Sequence, residues 1–190
     1  MASPTNPELC PADRVNAITA SFSSDQNAAL RDLDDALRAY PGDARLHFLK
    51  GSLLAGRQDY AAARGAMRRA VDLAPGYTLA RFQLGFLLLT SGEPYAAEET
   101  WGPLHALPDG HFLRAFVDGL TALIHDRFAD TIRLLEDGIA RNREIPAMNR
   151  DMQLIIEEIR RRPEPGTKSG SLASPVDLLL QQAAIKANRH

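Results

Sequence analysis

The chain has 190 residues, 45% of them apolar and 24% charged, a length and balance that bury a core without cross-links and exclude disorder as the overall class. A net charge of −2, from 22 Lys and Arg against 24 Asp and Glu, and an aromatic share of 6% provide neither the field nor the stacking rings of a nucleic-acid reader. Cys10 is the single cysteine, which excludes an internal disulfide framework and a thiolate metal cluster and fits a reducing compartment.

The first ten residues lack the basic start and apolar stretch of a secretion signal. The longest apolar run, Leu84 to Leu89, falls far short of the roughly 20 residues that cross a bilayer. The expected location is cytoplasmic, without membrane insertion.

From residue 10 onward the chain is periodic. Gly51, Gly85 and Gly119 are evenly spaced; Pro41 and Pro75 share their interval, as do Ala29, Ala63 and Ala97 with Thr131 in the next slot. Leu33, Met67, Trp101 and Leu135 form a further series. In chain order the units are 10–43, 44–77, 78–111 and 112–145. The first keeps Ala17, Ala29, Leu33, Ala36 and Pro41 but has a weak first helix.

The second unit shows the plan most clearly: a helix from Ala44 to Ala55, a turn at Gly56, Arg57 and Gln58, a second helix from Asp59 to Leu73, and a close at Pro75 and Gly76. Its segments are rich in Ala, Leu and Arg and poor in β-branched residues, which favours helix over strand. In the third unit Pro94 comes early in the second helix and Pro103 within it, and the latter should shorten that helix. The fourth carries Thr131 and Gly138 where Ala is usual.

Beyond the units, Met148, Met152, Ile155, Ile156 and Ile159 fall on one stripe of a capping helix over 146–162, with arginines at its negative end. Residues 163–174 have the Pro, Gly and Ser content of a flexible linker. Ser174, Pro175 and Asp177 then open an amphipathic tail helix over 175–190, with Val176, Leu179, Leu180 and Ala183 along one side.

With units of this length and the recurring Gly51, Tyr60, Ala63, Ala70 and Pro75 pattern, the chain resembles the tetratricopeptide repeat family over residues 10–145. The resemblance implies an all-α fold, a right-handed α-solenoid of stacked helix-turn-helix repeats. It also implies that the first helix of each unit lines a concave face through the second, fifth, ninth and twelfth slots. In this sequence those are Arg45, Phe48, Ser52 and Ala55; Leu79, Phe82, Phe86 and Leu89; and Leu113, Phe116, Leu120 and Leu123. Members that grip a terminal carboxylate use Lys, Arg and Asn at such slots; here Arg45 and Gln83 are the polar candidates, so an apolar ligand is expected.

The spacing supports one stripe independently, since Leu79, Phe82, Phe86 and Leu89 recur at intervals of three and four. Left open, Phe48, Phe82, Phe86 and Phe116 would together present an apolar area on the order of the 300–600 Å² that soluble monomers rarely pass. A partner, the tail helix or neighbouring helices of the stack should therefore cover them.

Catalytic chemistry has little support. Histidines 47, 105, 111, 125 and 190 form no ligand pair one turn apart, so neither a metal nor another cofactor is expected. Gly166, Thr167, Lys168 and Ser169 resemble the end of a phosphate loop, but position 161 is Arg where an earlier glycine is required. The expected function is a non-enzymatic protein–protein interaction module that binds an apolar or amphipathic segment of a partner, as a secretion-type chaperone or adaptor. The alternative is a scaffold or homo-oligomer whose groove holds its own C-terminal helix.

Overall fold

The computed structural model describes residues 9–161. Among them are nine α-helices and no strand: α1 (Ala12–Ala20), α2 (Gln26–Ala39), α3 (Ala44–Gly56), α4 (Tyr60–Leu73), α5 (Thr78–Thr90), α6 (Pro94–Trp101), α7 (Phe112–Ile124), α8 (Phe128–Arg141) and α9 (Pro146–Arg160). Short 3₁₀ turns follow α1 at Ser21–Ser23 and α6 at Gly102–Ala106. The fold class is the expected one, all-α and built of repeating helical hairpins. The expected linker at 163–174 and the tail with Val176, Leu179, Leu180 and Ala183 lie outside the described residues.

The chain divides into two compact units, with the division inside α5 between Leu84 and Gly85. In the first, Cys10 and Ile18 join Ala29, Leu33, Ala36, Leu46 and Leu53 in one buried cluster, edged by half-buried Val15, Phe22, Leu30, Leu37, Tyr40 and Leu49. Carboxylates start α2, α3 and α4 by accepting hydrogen bonds from otherwise orphaned backbone N–H groups. Asp25 accepts from Asn27 and Ala28 at 3.0 and 2.9 Å, and Asp59 accepts from Ala62 at 3.2 Å.

The period of the sequence has a packing cause. Each of the last three hairpins seats a large side chain of its second helix against a glycine of its first: Met67 on Gly51, Trp101 on Gly85, Leu135 on Gly119. A Cβ on Gly51 would lie 2.6 Å from Met67 Cγ, and one on Gly119 would lie 2.7 Å from Leu135 Cδ2. On Gly85 it would enter the indole of Trp101. Ala29, Ala63 and Ala97 are fully buried, and Thr131 fills the same slot because its hydroxyl donates to the Arg127 carbonyl at 3.0 Å.

The turns repeat as well. Gln58, Gly92 and Asp126 all have left-handed backbone, with φ of 67°, 83° and 54°, and they stand in the same slot of successive repeats. After each, the next N–H closes the preceding helix: Asp59 donates to Leu54, Glu93 to Leu88 and Arg127 to Ala122, at 2.9 to 3.0 Å. Gly56, expected within the turn, is instead the last residue of α3. A side chain in the left-handed region costs roughly 1–2 kcal/mol, and glycine returns part of that through its freer unfolded chain. Gln58→Gly is therefore expected to raise stability by about 0.5–1 kcal/mol in urea denaturation. An unchanged or lower midpoint would contradict this account of the turn.

In the second unit α6 ends at Trp101 and continues only as the 3₁₀ turn around Pro103, the shortening expected of an interior proline. The α9 stripe Met148, Met152, Ile155, Ile156 and Ile159 is buried. Asn142, itself buried, locks the turn before α9: its amide donates to the Ile145 carbonyl and to Asn149, both at 2.7 Å, and its oxygen accepts from Ile145 N at 2.9 Å.

Candidate partner-binding face

Helix α3 begins at a buried carboxylate. Asp43 is fully buried and accepts four hydrogen bonds. Its Oδ1 takes the Arg45 backbone N–H and Nε, each at 3.0 Å. Its Oδ2 takes Arg45 Nη2 at 2.7 Å and the Cys10 backbone N–H at 2.9 Å. Arg45 Nη2 also donates to the Cys10 carbonyl at 2.7 Å.

Burial alone would raise the Asp43 pKa, but hydrogen bonds from the Arg45 side chain and from the Cys10 and Arg45 backbones hold it below the ordinary carboxylate range. Arg45 is shifted up, chiefly by the hydrogen bond to Asp43 and against the cost of its burial. This guanidinium is thereby engaged within the chain.

Next to this ion pair lies an aromatic step. Phe48 and Tyr77 have ring centroids 5.2 Å apart, tilted by 56°. Burial raises the Tyr77 pKa, with nearby Arg45 opposing and Asp43 reinforcing the shift. Ser52 turns its hydroxyl back to the Phe48 carbonyl at 3.0 Å. Arg45, Phe48, Ser52, Ala55, Tyr77 and Leu79 all remain half-buried, so this part of the first unit keeps accessible side-chain surface.

The rest of the expected wall is different. Phe82 is 1% exposed, and Leu89, Leu113, Phe116, Leu120 and Leu123 are between 0 and 2% exposed; Phe86 alone among the expected downstream positions is half-buried. These residues are core, and the continuous open apolar wall anticipated from their spacing is absent. The cause is visible at Phe116, whose ring occupies the place a Cβ would take on Gly138 of α8 and meets Phe112 edge-on at 5.9 Å. Intervals of three and four mark a stripe that is buried, without saying whether its own chain does the burying.

Two contributors escaped the sequence reading, Asp43 and Tyr77. The signal for Asp43 was available as an acidic residue directly before an apolar helical run. Tyr77 and His111 occupy the same slot in later units, and His111 Nδ1 likewise accepts the Leu113 N–H at 3.1 Å. The other described histidines are paired locally: His47 with the Pro41 carbonyl, His105 with Asp118 and His125 with Glu98, at 2.8 to 3.0 Å. Among the described residues no group of three His, Cys, Asp or Glu is placed to hold a metal ion, and no helix is long and apolar enough to cross a membrane.

Three successive hairpins share a glycine seat and a left-handed joint. Residues 17–78 match the family model described as tetratricopeptide repeat. Over those residues the chain matches the tetratricopeptide repeat. No curated protein matches it in sequence. Among solved structures, MamA 41-end from Desulfovibrio magneticus RS-1 is similar with a TM-score of 0.56 and 15% identity, covering 80% of this chain and 95% of that one. The MamA RS-1 ArsTM double mutant gives 0.59 and 15%, covering 93% and 96%. At that identity the likeness is one of fold. Tetratricopeptide repeats support a role as a protein–protein interaction module, and such stacks act generally as scaffolds rather than catalysts.

Proposed function

We propose that the chain binds an apolar or amphipathic segment of a partner protein, as a chaperone or adaptor does, through Arg45, Phe48, Ser52, Tyr77 and Leu79. The observation that carries this reading is the half-open Phe48 and Tyr77 ring pair beside an already neutralised ion pair, where the corresponding slots of α7 are sealed. Aromatic side chains with one accessible face supply contact area at low cost in conformational entropy. Because Asp43 already satisfies Arg45, a ligand here gains more from apolar contact than from a charge.

Peptides selected from a random displayed library against the full chain provide the test. Phe48→Ser is expected to weaken the selected peptides at least tenfold, about 1.4 kcal/mol or more, while Tyr95→Ser, at an exposed ring on α6, leaves them bound. Equal binding to wild type and Phe48→Ser, or a selection that enriches nothing, counts against this face.

A further inference from the structure

We infer that the N-terminal stretch Leu9–Ala20 is a releasable strap, clasped onto the first turn of α3 by Asp43 and Arg45 and able to open while the remaining hairpins stay folded. Helix α1 has nine residues, too few to be stable alone in water. It has no side-chain cap at Pro11, and of its residues only Ile18 is buried and Val15 half-buried, with the rest exposed. The buried Cys10 side chain precedes it.

What holds the stretch is concentrated at one residue. The Cys10 N–H donates to Asp43 and its carbonyl accepts from Arg45, and both partners belong to the start of α3, 33 and 35 positions further along the chain. The opposite end of the described chain is built otherwise: α9 has fifteen residues, five of them buried, with Arg160 bonded to Glu136 at 2.6 Å and the Asn142 network at its base. Elements that bury few side chains open at lower free energy than those that bury many.

Opening would withdraw Cys10, Val15 and Ile18 from the cluster that holds Leu33, Leu46 and Leu53, and would free Arg45 Nη2 from the Cys10 carbonyl. Arg45 also belongs to the proposed partner face, so strap release and partner engagement would be coupled; that coupling rests on the functional reading above, whereas the opening does not.

The single thiol makes the opening measurable on the full chain. Reaction of Cys10 with an Ellman-type disulfide reagent is followed in water and at urea concentrations below the unfolding transition, beside far-UV circular dichroism. Ile18→Ala and Arg45→Gln are each expected to speed the reaction at least tenfold. Met67→Ala, in the α3 and α4 hairpin away from the strap, is expected to lower the helical unfolding midpoint and leave the reaction rate in water unchanged. If Met67→Ala accelerates Cys10 in proportion to its effect on unfolding, or if Ile18→Ala and Arg45→Gln leave the rate where it was, the strap does not open on its own and the proposal fails.

Discussion

Trp101→Ala is expected to cost roughly 3–5 kcal/mol of stability, the range for emptying a large buried ring site. The indole is fully buried and lies where a Cβ on Gly85 would stand, so its removal opens a cavity against the α5 backbone. Urea denaturation followed by circular dichroism measures the loss. Gly85→Ala in the wild-type chain should also destabilise, by about 1–3 kcal/mol, because rigid atoms of the indole must shift rather than the end of a flexible chain.

The decisive comparison is the double variant. With the ring gone, the Gly85 methyl has room and alanine is the better helix former by up to about 1 kcal/mol, so Gly85→Ala should become neutral or stabilising in the Trp101→Ala background. If Gly85→Ala costs the same in both backgrounds, the glycine seat does not explain the period.

Asp43→Ala is the second large effect, about 2–4 kcal/mol. Roughly 1 kcal/mol comes from the lost helix cap and about 1–3 kcal/mol from the buried Cys10 N–H left without an acceptor. Asp43 also contributes to the pH dependence of stability, with a determinate sign. Its folded pKa lies below the unfolded one, so its stabilisation is fully present above the ordinary carboxylate pKa and is lost as pH falls through that value towards the lower folded one.

Asp25 shifts in the same direction through hydrogen bonds from the Ala28 and Asn27 backbones, so the wild-type profile alone does not isolate Asp43. The difference between wild type and Asp43→Asn does: it should be constant from neutral pH to about pH 5 and shrink as the solution is acidified further. A difference that grows with acid would reverse the assignment.

The hairpin plan was legible in the sequence because its cause is local. Gly51 and Met67, Gly85 and Trp101, and Gly119 and Leu135 keep one spacing within each hairpin, so the small and large partners recur together and reveal the unit without any long-range information. The fate of Pro103 was legible for the same reason, since a proline ends a helix by its own geometry. The site was less so. Leu79 and Leu113 occupy the same slot and look alike as letters, yet one is half-buried and the other sealed, and Phe116 is sealed through a contact with Gly138 of the following helix that its own spacing does not announce. Asp43 was missed for a different reason: Asp43, Tyr77 and His111 share a register but no residue type, so a search for recurring residue types passes over them.

The left-handed joints at Gln58, Gly92 and Asp126 bear on how such a chain can change in length. Excising or duplicating one whole module brings together backbone of the same handedness and phase, whereas any other increment delivers a right-handed residue to a hinge that needs the opposite hand. A change of length by complete modules therefore keeps the elbows at Gln58, Gly92 and Asp126 in place, and a change by part of one displaces them.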